Sequence, residues 1–161
     1  EPEEPEGPTQ EELLAQILEE LKKKEKGYGS AGAAMEAVAK TLPALWRAEK
    51  IQKKAAAAGF DWPAVSGAMD KLREETDELQ EAIEKSTNPA EELGDLLFAA
   101  VKVGRFMGID PEAALHAACD KFTQRFCRME AESIQNHREF DQLSLDEMMK
   151  LWENSKVHQE S

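Results

Sequence analysis

Two acidic clusters, Glu74-Glu75-Thr76-Asp77-Glu78 and Glu91-Glu92-Leu93-Gly94-Asp95, concentrate the groups of this sequence that are able to do chemistry. Within each cluster two carboxylates stand three positions apart, Glu75 with Glu78 and Glu92 with Asp95. On a helix that spacing puts both on neighbouring parts of one face. Between the clusters, Lys85-Ser86-Thr87-Asn88-Pro89 reads as a turn. Asn88 can cap a helix there and Pro89 suits the first helical position. The stretch from Arg73 to Met107 therefore reads as an antiparallel helical hairpin. About a pivot at residue 85, Glu75 falls opposite Asp95 and Glu78 opposite Glu92. Four carboxylates brought to one place repel one another and are costly to bury. A divalent cation removes that cost. An all-oxygen set, with no His or Cys at ligand spacing, suits Mg²⁺, with Mn²⁺ a possible substitute. Di-iron carboxylate bundles need Glu-x-x-His motifs, and the hairpin has no His.

The competing explanation is a solvated acidic face. Charged residues make up 33% of the chain, so acidic pairs arise by chance, and Glu11, Glu12, Glu19 and Glu20 read that way. The second arm argues otherwise for its own carboxylates. At about 100° per residue, Asp95 shares a strip with Ala99, Lys102 and Phe106, and Glu92 with Ala99 and Val103. These carboxylates continue a helix that is apolar nearly all round, the pattern of a buried helix. Glu75 flanks the stripe Val65, Met69, Leu72, Thr76, Leu79 and Ile83. A metal site made by Glu75, Glu78, Glu92 and Asp95 is the preferred reading.

Cations at helical spacing supply possible phosphate contacts. Lys50, Lys53 and Lys54 lie on one helix, and so do Lys121 and Arg125, four apart. Arg suits bidentate contact with phosphate and Lys a point-charge contact. Spacing alone cannot separate these roles from surface charge.

Glu-Glu-x-x-Glu at 74–78 and Glu-x-x-Asp at 92–95, followed by Leu96-Leu97-Phe98, resemble the MazG nucleoside triphosphate pyrophosphohydrolases of the all-α NTP pyrophosphatase superfamily. The resemblance continues through the helix Leu42–Lys53, the turn Gly59-Phe60-Asp61-Trp62, Lys121-Phe122-Thr123-Gln124-Arg125-Phe126, and Trp152 with Lys156. It covers residues 40–158 or so. It implies Mg²⁺-dependent hydrolysis of nucleoside triphosphates to nucleoside monophosphate and pyrophosphate by a homodimer. Broad NTP and dNTP specificity, a housecleaning of the nucleotide pool, is the expectation. By the same resemblance Glu74, Glu75, Glu78 and Glu91 are the catalytic carboxylates, with Glu74 and Glu91 beside the metal ligands. Lys50 or Lys53, Lys121, Arg125, Trp152 and Lys156 contact the nucleotide. The alternatives are a dUTP- or dCTP-selective pyrophosphatase, or a non-catalytic acidic helical module that mediates assembly or senses a divalent ion.

The elements that must position these residues are all helical. Ala is abundant, Val and Ile are sparse, and no alternating strand pattern occurs. The expected fold is an all-α bundle with four main helices around the hairpin plus an N-terminal helix. Residues 1–39 read as an acidic Pro-rich linker (1–8), an amphipathic helix carrying Leu13, Leu14, Ile17, Leu18 and Leu21, and a flexible segment at Gly27–Gly32. Residues 40–161 read as the hydrolase domain. Helices are expected over Pro43–Ala58, Pro63–Glu84, Pro89–Met107, from an Asp110 cap to about Asn136, and from the capping box Ser144-Leu145-Asp146-Glu147 onward. Ala114, Leu115, Ala118, Phe122, Phe126 and Met129 supply a core face, and Met148, Leu151 and Trp152 an apolar edge.

A net charge of −13 argues against polymeric nucleic acid and anionic membranes as partners. Cys119 and Cys127 are eight apart on one helix, about 12 Å of rise, too far for a disulfide. They are expected as reduced packing residues in a cytoplasmic protein. His116, His137 and His158 are scattered, and none pairs with Cys or a second His at ligand spacing. No secretory signal or membrane span is expected. One carboxylate quartet implies one catalytic unit, and a chain that starts without Met suits a piece of a longer protein.

Overall fold

A computed structural model describes residues 9–25 and 29–157. The expectations for the tail at 1–8, for Gly27 and for His158 fall outside the described residues, as do those for the side chains of Glu11 and Glu12. Every regular element described is helical: α1 Gln10–Glu25, α2 Ala31–Glu36, α3 Ala44–Ala57, α4 Val65–Lys85, α5 Pro89–Phe106, α6 Pro111–Gln135 and α7 Leu145–Val157, with a 3₁₀ helix at Phe140–Gln142. None is long and apolar enough to cross a membrane. The residues divide into two compact units, the first ending at Met107 and the second beginning at Gly108.

In the first unit α4 and α5, joined by three residues, pack along each other. The seam is made of small side chains, with Ala68 and Ala82 of α4 and Ala99 of α5 buried beside Val101. α3 packs on α5 and α2 on α3. The α3–α5 contact has a polar fastening: buried Gln52 donates from Nε2 to the Phe98 carbonyl at 2.7 Å. A second fastening closes the turn after α3, where Arg105 of α5 holds the Asp61 carboxylate at 2.7 Å. Burial pushes the Asp61 carboxyl up, but hydrogen bonds from Arg105 and the Trp62 amide, with the charges of Arg105 and Lys102, outweigh it and leave it below the usual range. The Trp62 indole lies over Gly67, where an added Cβ would stand 3.2 Å from the ring.

Two expectations change in this unit. The segment read as flexible ends in a helix: Ser30 caps α2 by accepting from the Ala33 amide at 3.1 Å, and alanines carry it on. α5 is not buried all round. Leu93, Leu97 and Phe98 are exposed in the single chain, because α3 and α4 cover only part of its circumference. α1 packs against no other described element, and its apolar residues Leu13, Leu14, Ile17, Leu18 and Leu21 are all exposed.

In the second unit α6 and α7 pack together, with the 3₁₀ helix against α6. The Asp110 carboxylate caps α6 by accepting from the amides of Glu112 and Ala113. At the start of α7 the capping box forms reciprocally. The Ser144 amide donates to the Glu147 carboxylate at 2.9 Å and the Glu147 amide to Ser144 Oγ at 3.3 Å. Those contacts and Arg138 hold the Glu147 carboxyl below its usual range, the Ser144 amide foremost. Of the expected apolar face of α6 only Met129 is buried; Leu115, Phe122 and Phe126 are exposed, since α7 and the 3₁₀ helix shield one end of it. Cys119 and Cys127 are free as expected, but exposed rather than packed.

Gly59 ends the α3 turn at φ +88°, a left-handed conformation that disfavours any side chain. An added Cβ there meets nothing within 4 Å, so substitution tests backbone strain alone. Gly59→Ala should cost about 1 kcal/mol, read as a lower urea midpoint with an unchanged slope. Wild-type stability in that variant would show that the turn relaxes.

Candidate metal and active site

Carboxylate oxygens of Glu75 on α4 and of Glu92 and Asp95 on α5 all lie within 4.8 Å of one another. The local pattern explains the convergence. Glu92 and Asp95 are three apart on one helix face, and the Ala seam lets the backbones of α4 and α5 approach. Glu75 is buried (5% exposed), Glu92 is half-buried and Asp95 is open to solvent. The set thus has an inner wall and an outer mouth.

One Glu75 oxygen, Oε1, meets the Lys71 ammonium at 2.7 Å. The other, Oε2, is buried and has no hydrogen-bond partner. A buried carboxylate oxygen left unsatisfied is costly, and a ligand at the centre of the set would satisfy it. The donors are all oxygens, at a separation a single ion can bridge. The residues therefore fit a hard divalent cation.

Lys71 was not singled out by the sequence reading. It lies three residues before Glu74 and four before Glu75, and its ammonium touches both, at 2.8 and 2.7 Å. Hydrogen bonds to Glu74 and then Glu75 hold that ammonium above its ordinary range. The i, i+3, i+4 spacing of opposite charges is the signal that could have identified it.

The remaining expected residues divide by place. Glu78 stands outside the mutual set, one turn beyond Glu75 and exposed. Its carboxyl is nonetheless raised, first by partial loss of water and then by the charge of Glu75, against the pull of Lys71. Glu74 is exposed and paired with Lys71. Glu91, in the first turn of α5, accepts from the Asn88 side-chain amide. Lys50 and Lys53 line a cavity shared with α2. In the second unit, Trp152 lies 5.3 Å from Phe122 between ring centres, and the Arg125 guanidinium stands 5.6 Å over the Trp152 ring. Lys121 is exposed nearby on α6, and Lys156 is paired with Glu153 at 2.6 Å. Phe122, expected in a core, is instead 58% exposed and extends the Trp152 surface.

The raised Glu78 carboxyl has a measurable consequence. A carboxyl with a higher pKa folded than unfolded binds more protons in the folded state, so it subtracts stability as pH rises above about 4.3. The raised Lys71 keeps its full contribution below about pH 10 and is constant over that window. In EDTA, Glu78→Gln should therefore melt at or above wild type at pH 7, and the two should converge near pH 4. A variant that melts lower at pH 7 by a margin that acid does not close would show that Glu78 carries no like-charge load.

Comparison with known proteins bears on the same helices. Residues 65–127 match the MazG nucleotide pyrophosphohydrolase domain. The chain is 36% identical over 149 residues to the nucleoside triphosphate pyrophosphohydrolase of Escherichia coli K12, covering 90% of this chain and 56% of that protein. It is 37% identical over 138 residues to the Thermotoga maritima nucleoside triphosphate pyrophosphohydrolase/pyrophosphatase MazG, covering 86% of this chain and 53% of that protein. A Bacillus subtilis protein, the uncharacterized YabN, is 43% identical over 141 residues, 29% of its length. The chain thus spans just over half the length of the two pyrophosphohydrolases. The domain match runs along both helices that carry the carboxylates, and the relatives extend the similarity over most of the sequence: this chain carries a MazG nucleotide pyrophosphohydrolase domain.

Proposed function

We propose that this chain hydrolyses nucleoside triphosphates to nucleoside monophosphate and pyrophosphate, with Mg²⁺ held by Glu75, Glu92 and Asp95 and approached by Glu78. The observation that carries the reading is the three-carboxylate set with its buried, unpartnered Glu75 oxygen. The activity for which the two pyrophosphohydrolase relatives are named supports it. When bound, the divalent ion supplies charge neutralisation for the phosphate oxygens. The chain's own residues do the rest. Glu75 is fixed by burial and by Lys71, so it presents its free oxygen in one orientation. Glu78, one turn beyond Glu75 and open to solvent, is placed to accept the proton of the attacking water. Water oxygen bonds to the α-phosphorus, its proton passes to the carboxylate, and the bond to the pyrophosphate leaving group breaks. Glu74 holds Lys71 from outside, and Glu91 braces the start of α5 through Asn88.

The second unit offers its own nucleotide chemistry. Trp152 and Phe122 form an aromatic surface for a base, and Lys121, Arg125 and Lys156 are cations for phosphate. Free Cys119 and Cys127 suit a cytoplasmic setting. The chain acts as a homodimer. The exposed apolar rows on α1 and α5 support this, because contiguous apolar surface usually marks an interface.

A panel of NTPs and dNTPs with Mg²⁺, products resolved by anion exchange, tests the reaction. Monophosphate and pyrophosphate are expected from several bases; turnover confined to dUTP or dCTP would replace broad specificity with a selective enzyme. Asp95→Asn should lower turnover by more than the ~10–100-fold that loss of an outer metal-site partner costs. Diphosphate with orthophosphate, or no turnover, would sink the proposal. For assembly, sedimentation at low micromolar concentration should give twice the chain mass. An active species of single-chain mass would refute the dimer.

A further inference from the structure

The lysines of α3 face away from the contact that fastens this helix to α5. At about 100° per residue, Lys50 and Lys54 stand about 160° around α3 from Gln52, whose amide binds the Phe98 carbonyl. With Lys53 they line a cavity of about 480 Å³ between α2 and α3, whose other wall is apolar and includes Ala34, Val38 and Leu42. That volume lies in the range of small-molecule sites, about 300–1,000 Å³. Lys53 is engaged by Glu49 at 2.8 Å. Lys50 and Lys54 have no carboxylate partner among the described residues. In a chain of net charge −13, positive charge is left uncompensated here, and no Asp or Glu lines the cavity.

The chemistry of the two walls selects the ligand. Lysine ammoniums are point-charge partners for phosphate. The apolar wall takes a flat, uncharged body. With no carboxylate in the lining, nothing there calls for a metal ion to bring the anion in. We propose that the α2–α3 cavity is a second nucleotide site, which takes a nucleoside mono- or diphosphate as the free anion. Its phosphates lie on Lys50 and Lys54 and its nucleoside lies against α2. Its lining shares no residue with the carboxylate set, and the proposal assigns Lys50 and Lys53 to this site instead of to the hydrolysed triphosphate. A free nucleotide bound here reaches the reaction only through α3 and its fastening on α5.

The test is ADP binding by calorimetry in excess EDTA at low ionic strength, where no metal complex is available to the carboxylates. Wild type should bind one ADP saturably, and added salt should weaken it. Lys50→Gln with Lys54→Gln should weaken binding at least ~10-fold, about 1.4 kcal/mol. Ala34→Leu, which fills the cavity from the opposite wall, should weaken ADP while sparing inorganic pyrophosphate. Asp95→Asn should bind ADP as wild type does. No saturable ADP binding, binding that survives the double lysine variant, or binding lost in Asp95→Asn would overturn the site. Pyrophosphate binding as tightly as ADP would overturn the nucleotide assignment.

Discussion

Three carboxylates held within 4.8 Å of one another, one of them buried, set the terms for the first unit. At an effective dielectric near 20, two unit charges at that distance repel by roughly 3 kcal/mol. Lys71 answers part of this by sitting on Glu75 and Glu74, and it leaves Oε2 of Glu75 without a partner. The helices carrying the charges must therefore be kept together by something other than the site. The Ala68, Ala82 and Ala99 seam does this by close backbone approach, and Gln52 and Arg105 add polar fastenings on the far side of α5 and at the turn after α3. A cation at the centre of the set would relieve the like-charge repulsion that Lys71 leaves.

That scaffold is thin. Val38, Ala68, Ala82, Ala99, Val101 and Met129 are the buried apolar residues described, and none is aromatic. Helices joined through alanine bury little area each, so each contributes little hydrophobic free energy at about 25 cal/mol per Å². The larger side chains, Leu93, Leu97 and Phe98 on α5 and the leucines of α1, lie on outer faces. A protein built this way gains most of its remaining burial from association. In the proposed dimer these outer faces would complete the core, and the mouth of the carboxylate set, at Asp95, is exposed in the single chain.

The chemistry-bearing part of the fold was legible in the sequence because spacing fixes direction on a helix. Glu92 and Asp95 share a face by count alone, and the Asn88-Pro89 signal located the start of their helix. The register about residue 85 brought Glu75 to them. Register could not separate Glu75 from Glu78: three residues turn the side chain by about 60°, enough to bury one and expose the other. Lys71 escaped because opposite charges at helical spacing are common on solvated faces, and only the burial of Glu75 makes this pair matter. The apolar periodicity of α6 marks one face by count, yet the core expected on that face is buried only at Met129, because periodicity says nothing about what covers it; Phe122 shows the difference. α2 was missed because Gly29, Ser30 and Gly32 are turn-like by composition, while the Ser30 cap needs the fold to declare itself.

A chain of net charge −13 repels an anion over most of its surface, so any attraction has to be local. Salt screens charge beyond about 8 Å at physiological ionic strength, so an approaching phosphate responds to the groups around it more than to the whole surface. The two regions of the first unit solve this in opposite ways. Where carboxylates converge, an anion is admissible only behind a cation that the carboxylates themselves recruit. Where Lys50 and Lys54 stand without carboxylate partners, the protein supplies the cation and no metal is called for. Both regions act on α5, one through Glu92 and Asp95 and the other through α3 and its Gln52 contact with Phe98, one turn beyond Asp95. A change in the seating of α3 would therefore reach the carboxylate set through the α3–α5 contact, its buried Gln52 amide included.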